Sequence, residues 1–283
     1  MKGSKGILGM AIIIVLAICL SACAPRITQE AMLEKAIEQQ RAMQNYEARI
    51  ALDTTIHIGS DSQAIRLLLK TTAFTQPLQY RLTVNMELEG LSYEHNMYLA
   101  EMDGVIRLYE DGLESTELPG YLRGYLDGII AAKRKFAALC LEKMKRFAVS
   151  EQPGWIGGRR AVKLMGGFTL GELADMAQDG GLLALDDVNG SPLMAAHSPW
   201  RSIHIPVTAY MDDGNYRMIR CEADLSALIG QWLQAGIDSS LGQGLWEDGH
   251  GAINIEGGIL TIEYTHVNDA EPFTLPQEPL KTA

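Results

Sequence analysis

The stretch Leu78-Gln79-Tyr80-Arg81-Leu82-Thr83-Val84-Asn85-Met86-Glu87-Leu88 decides how this chain folds. Apolar and polar residues alternate along it without a break. Successive side chains on a strand point to opposite faces, so Leu82, Val84 and Met86 share an apolar face, with Arg81, Thr83, Asn85 and Glu87 opposite. Such a strand belongs to an antiparallel sheet with one face on a core and the other in water; a parallel strand buried on both faces reads as an unbroken apolar run.

The same period extends in both directions. Glu89-Gly90 turns the chain, and Tyr93, His95, Met97 and Leu99 resume the alternation. Met102-Asp103-Gly104 turns it again before Val105 to Tyr109. Upstream, Pro77 interrupts the run, Ala64 to Phe74 reads as a strand, and Gly59-Ser60-Asp61-Ser62 is a turn cluster. Tyr46, Ala48, Ile50, Leu52, Ile56 and Ile58 alternate with polar neighbours. Before them the period becomes helical: Met32, Leu33, Ala36, Ile37 and Met43 predict a helix over Gln29 to Asn45. The result is a helix followed by an antiparallel meander.

Beyond Leu118-Pro119-Gly120 the pattern changes. Leu122, Leu126, Ile129, Ile130, Phe136, Ala137, Cys140, Met144 and Phe147 predict a long helix, or two in succession, over Tyr121 to Val149. Its basic residues Lys133, Arg134, Lys135, Lys143, Lys145 and Arg146 fit contact with anionic lipid heads, but more simply the solvated side of an amphipathic helix. Arg160 to Phe168 reads as a strand. Thr169 with Glu172 forms a capping-box pattern for a helix through Met176. Gln178 to Ser198 reads as loop, and Trp200 to Tyr210 and Tyr216 to Asp224 as strands about the Asp212-Asp213-Gly214-Asn215 turn. Leu225 to Ala235 is helical or irregular, Ala252 to Val267 is a strand broken at Gly257-Gly258, and Pro272 to Ala283 is extended.

The N-terminus carries a separate signal. Lys2 and Lys5 precede an uncharged run from Ile7 to Leu20, roughly 14 residues against the roughly 20 needed to cross a bilayer. Basic start, short apolar run and small residues at a cleavage point read as a secretory leader. Leu20-Ser21-Ala22-Cys23 resembles the bacterial lipobox, which implies cleavage before Cys23 and diacylglycerol on its thiol. More than one acyl chain gives stable anchoring. The expected organisation is a leader over 1–22, a lipidated tether over 23–30, and one domain over 31–283 with a helical insert near 121–149. The expected location is the cell membrane, lipid-anchored on its extracytoplasmic face.

Composition narrows the function. A net charge of -11, falling to about -13 without Lys2 and Lys5, argues against a nucleic-acid partner. A hydrophobic content of 47% is ample for a core. Of four cysteines, Cys19 would leave with the leader and Cys23 would be acylated. Cys140 and Cys221 can form a disulfide outside the cytoplasm, but buried free thiols are the simpler reading. No nucleophile elbow, zinc helix, P-loop or dinucleotide fingerprint is present. His197 and His204 lack a third ligand, and Asp186-Asp187-Val188-Asn189-Gly190 lacks the acidic alternation of a calcium loop. The reading is therefore no enzyme, no cofactor and no metal.

Three stretches carry a family likeness: Ile27 to Ile58, Phe74-Thr75-Gln76-Pro77-Leu78-Gln79-Tyr80, and Val207 to Met218 about its Asp-Gly turn. With the lipobox and the closing Ile262 to Pro276, this order resembles the bacterial lipoprotein-carrier superfamily, the LolA, LolB and LppX-like group. The helical insert and the Gly-rich loop near Gly180 depart from it. The resemblance implies an α+β fold: a strongly curved antiparallel sheet, an incomplete barrel, with helices over its concave side. It also implies that acyl chains or other apolar ligands enter the space between sheet and helices.

Two functions follow. One is a membrane-tethered lipoprotein that binds a lipid or other apolar ligand, for which flexible methionines suit a varied cargo. The other is a structural or regulatory envelope lipoprotein with a filled core that binds another protein, itself unidentified. For the first, Leu82, Val84, Met86, Tyr93, Met97 and Leu99 are the candidate cavity lining, since all six lie beneath the helices if the apolar face curves inward.

Overall fold

The computed structural model describes residues 27–110, 115–182, 198–241 and 253–276, with 236–241 as backbone alone. The first helix, α1 (Gln29–Arg41), is capped by Thr28, whose hydroxyl accepts from the Ala31 amide. Gln29 and Glu30, assigned to the tether from sequence, thus already lie in its first turn. Five long strands follow: β1 (Asn45–Ile58), β2 (Asp61–Thr75), β3 (Leu78–Leu88), β4 (Leu91–Met102) and β5 (Val105–Glu110). After short β6 (Thr116–Leu118) comes α2 (Leu122–Lys143), one helix ending in a 3-10 turn at Met144–Arg146. β7 (Ala148–Val149), β8 (Gly154–Ile156) and β9 (Arg159–Thr169) lead to α3 (Leu170–Gly180). β10 (His204–Asp212), β11 (Met218–Asp224), α4 (Ser226–Leu241) and β12 (Ile253–Thr265) complete the order. No helix among the described residues is long and apolar enough to cross a membrane.

The twelve strands of the described residues join one antiparallel sheet in the order β6-β5-β4-β3-β2-β1-β12-β11-β10-β9-β7, with β8 beside β9. The first and last strands of the chain's long segments therefore meet at the centre, where β1 pairs β12. The sheet is curved and open: β6 and β7 end the path and do not pair with each other. This is the α+β fold that the resemblance implied. β12 bulges opposite Asp53 and Thr54, where Gly257 and Gly258 adopt φ of 81° and 75°. A Cβ on Gly257 would approach the Asp53 carbonyl to 2.8 Å, so only glycine fits this break in the strand pattern.

The helices lie on the apolar side. Over β9 and β10 they pack it solid: Leu33, Leu141, Leu164 and Met211 are fully buried in one cluster. Phe147 closes against Phe168 with ring centroids 5.2 Å apart, and a Cβ on Gly166 would lie 2.3 Å from the Phe147 ring. The capping box is present: Thr169 and Glu172 exchange hydrogen bonds of 2.9 and 3.1 Å. α3 runs past Met176 to Gly180, where Gly181 ends it at φ 85°.

Several sequence boundaries shift for local reasons. α1 ends at Arg41 because Asn45 already pairs with Phe74 in the sheet. Pro199 starts a 3-10 turn through Ser202, capped by the Ser198 hydroxyl, so β10 begins at His204 and not at Trp200. Asp212 accepts from the Gly214 and Asn215 amides and fixes the expected hairpin turn. The tail crosses the outer face, where Phe273 sits 6.2 Å from Phe74, 6.0 Å from Tyr98 and 5.3 Å from the Arg81 guanidinium. At the start of the described residues, Ile27, Gln29 and Met32 line a cleft of about 350 Å³ with Arg160, Asp213 and Tyr216, beside the β10–β11 turn.

Candidate functional site

Strand register assembles the site. Leu82 pairs with Met97, Met86 with Tyr93, and Leu99 with Tyr80, so the six candidate residues form one patch on the apolar face. Across β2, Thr71, Leu69 and Leu67 oppose Leu82, Val84 and Met86. Farther on, Ile50 and Leu52 of β1 lie between Leu69 and Leu67 on one side and Ile262 and Leu260 on the other. One continuous apolar surface thus runs across four strands and onto β12.

The burial of this surface is unusual. A sheet packed solid under helices would bury its central strands most deeply. Here Ile50, Leu52, Leu67, Leu69, Leu82, Val84, Met97, Leu99, Leu260 and Ile262 are all only half-buried. Exposure rises toward the β3–β4 turn, to 40% at Met86, 53% at Tyr93 and 74% at Leu91. Leu126, Ile129 and Ile130 of α2 are likewise half-buried. The face is filled under α1 and α3 and only partly covered over β1 to β4 and β12.

The cysteines mark the boundary between the two halves. Both are free. Burial pushes the Cys140 thiol up to about 12, reinforced by Cys221, and the Cys221 thiol up to about 11, reinforced by Glu222. Both still keep accessible surface. Both pack against the edge of the filled cluster.

Of the basic residues read from sequence as the solvated side of α2, Lys133, Lys135, Lys143 and Arg146 are exposed and Arg134 and Lys145 half-buried. Many are tied into the fold. Lys133 Nζ donates to the Tyr46 hydroxyl at 2.7 Å, and Arg134 to the Met43 carbonyl at 2.5 Å. Lys145 pairs with Glu142 at 2.7 Å and Glu30 at 3.4 Å, and Arg146 with Glu172 at 2.5 Å. Arg123 pairs with Glu101 at the end of β4 and with Asp127. α2 is thereby fastened across the strand ends that carry Tyr46, Tyr80 and Tyr264. Helical periodicity gives the helix face, but not which strand lies under it.

The outer face offers different chemistry. A groove of about 800 Å³ there is lined by polar residues including Arg49, Lys70, Arg81, Glu94, Asn96 and Glu263. His204 packs its ring over Gly167. Among the described residues no group of His, Cys, Asp and Glu could hold a metal ion. Cys23, His197 and Asp186 to Gly190 lie outside the described residues.

No family model and no curated protein matches the chain. Among solved structures it is similar to LprF from Mycobacterium bovis, at 11% identity over 88% of this chain and 96% of that one, with a TM-score of 0.44. A beta-barrel-like protein of the domain of unknown function DUF1849 from Brucella abortus matches at 8% identity over 79% and 99%, TM-score 0.24. A DUF1329 family protein from Desulfovibrio piger matches at 10% identity over 83% and 90%, TM-score 0.20.

Proposed function

We propose that the chain is a bacterial lipoprotein, held at the extracytoplasmic face of the membrane through diacylglycerol on Cys23, which binds a lipid or another apolar ligand on the concave face of its sheet. The organisation proposed with it is a leader over 1–22 and a single domain following a short tether. The role is binding, not catalysis.

One observation carries the reading: the apolar face is only partly covered over β1 to β4 and β12, and its exposure rises toward the β3–β4 turn. Apolar surface is worth roughly 25 cal/mol per Å² when removed from water, so leaving ten central residues half-covered forgoes stability that a filled core would gain. An acyl chain laid along Leu82, Val84 and Met86 and between Leu69 and Met97 would recover it. The polar outer face supplies no comparable apolar surface.

The test is direct. Protein purified without denaturant is extracted with organic solvent and the extract analysed by mass spectrometry. A co-purifying lipid in stoichiometric amount is expected, with saturable binding of a neutral apolar fluorophore after its removal. Neither lipid nor saturable binding would end this reading and favour a structural lipoprotein that engages another protein.

A further inference from the structure

We propose, resting on the binding reading above, that the hollow takes an amphiphile with a single carboxylate head, a long-chain fatty acid, whose carboxylate sits on Lys133. Three observations converge on this residue. The first is its partners. The other cations of α2 with defined contacts are matched by acceptors of the protein: Arg123 by Glu101 and Asp127, Arg134 by a carbonyl, Lys145 by Glu30 and Glu142. Among the described residues Lys133 has no carboxylate. Its contacts are the Tyr46 hydroxyl at 2.7 Å and the Tyr46 ring, with Nζ 5.0 Å from the centroid.

The second is the surroundings. Tyr264 stands edge-on to Tyr46 with centroids 5.9 Å apart, and the Tyr80 hydroxyl lies 3.4 Å from that of buried Thr71. Burial is the largest influence on the Lys133 ammonium, opposing its charge; Tyr46, Tyr264 and Tyr80 offset it. Lys133 as a whole is exposed, while its ammonium lies against the Tyr46 hydroxyl and ring. An ammonium held against an aromatic cluster, with its water shell incomplete, favours an opposite charge beside it, and three phenols offer hydrogen-bond donors for the same carboxylate.

The third is the track that leads away from it. On the concave side of β3, Tyr80 follows the buried Leu78, and Leu82, Val84 and Met86 continue the row. Six residues at about 3.3 Å each make a path of about 20 Å. It runs between Leu69 and Leu67 on one side and Met97 on the other, and reaches the exposed Met86, Leu91 and Tyr93. A cation among tyrosines at one end, an apolar track and an exposed apolar far end suit one acyl chain entering carboxylate first. A neutral lipid would leave the ammonium without its counter-charge.

Parinaric acid and its methyl ester, titrated into delipidated protein, separate the claims. Wild type is expected to bind the acid about tenfold or more tighter than the ester, the change expected of one partly screened ion pair. Lys133→Met should bring the acid down to the ester's affinity and leave the ester unchanged, while Lys133→Arg keeps the preference. Lys133→Gln retains a hydrogen bond to Tyr46 without the charge and serves if Lys133→Met does not fold. Equal affinity of wild type for acid and ester, or unchanged acid binding in the Met and Gln variants, overturns the role of Lys133 while the apolar hollow stands. Failure of both probes to bind overturns the hollow and this proposal together.

Discussion

Val84→Trp separates a hollow from a filled core in one protein. Val84 is half-buried, with Leu69 opposite on β2, His95 opposite on β4, and Leu82 and Met86 beside it on the same face. In a filled core the added indole overpacks and costs typically 1–3 kcal/mol. For a domain of this size about 1 kcal/mol moves the melting temperature by about 2–4 °C, so a 3 kcal/mol cost appears as a fall of about 6–12 °C. In the hollow the indole extends into unoccupied apolar space, and tryptophan is well suited to a strand. The cost should then stay below about 1 kcal/mol, a shift under about 4 °C. The indole also blocks the track between Tyr80 and Met86, so a neutral naphthylamine probe should bind about tenfold more weakly, about 1.4 kcal/mol. The assay is a thermal melt by circular dichroism and a fluorescence titration on the same delipidated preparations. A fall beyond about 6 °C, with no saturable probe binding to the wild type, would refute the hollow.

Other consequences are open to measurement. Cys23→Ala should abolish incorporation of labelled fatty acid and move the protein out of the membrane fraction; undiminished labelling would exclude the anchor. Cys140 and Cys221, raised to about 12 and about 11, hold very little thiolate at neutral pH. Both should react slowly with a thiol reagent in the native protein and rapidly once unfolded, and fast native reaction would mean that α2 does not cover β11. Glu172 is held at about 2, below its ordinary 4.5, first by its hydrogen bond with Arg146 and also by the Thr169 amide. A depressed carboxylate stabilises the fold above the unfolded value and ceases to do so as pH falls from 4.5 toward 2. Glu172→Gln keeps the capping geometry but not the charge, so its stability deficit should be constant near neutrality and vanish in acid; a deficit that persists there would assign it to packing.

The parts of the fold governed by neighbouring residues were legible in the sequence. The alternation of Leu78 to Leu88 gives β3 with its observed bounds, Thr169 and Glu172 mark the start of α3, and Asp212 marks its turn. What depends on distant partners was not. Nothing near Lys133 foretells that it reaches Tyr46, far back on β1. Nothing near Gly166 shows that it is small to admit the Phe147 ring. The six candidate residues were grouped correctly on one face because period two is local. That this face is only partly covered over β1 to β4 and filled over β9 and β10 was illegible, since a packed sheet and an uncovered one alternate alike.

Under the proposed binding role, the cleft beside Ile27 bears on the direction in which a ligand would leave. Ile27 meets Asp213 and Tyr216 at the rim where β10 turns into β11. Followed through the hydrogen-bonded register, that rim also carries Tyr46 and Tyr80, whereas Met86, Leu91 and Tyr93 lie at the opposite ends of their strands. An acylated Cys23 stands four residues before Ile27, at most about 14 Å of chain. Membrane attachment would then hold the domain by its closed rim, with the uncovered residues facing outward. A molecule leaving the hollow would emerge away from the bilayer that holds the protein, toward an acceptor approaching from the far side of the envelope space.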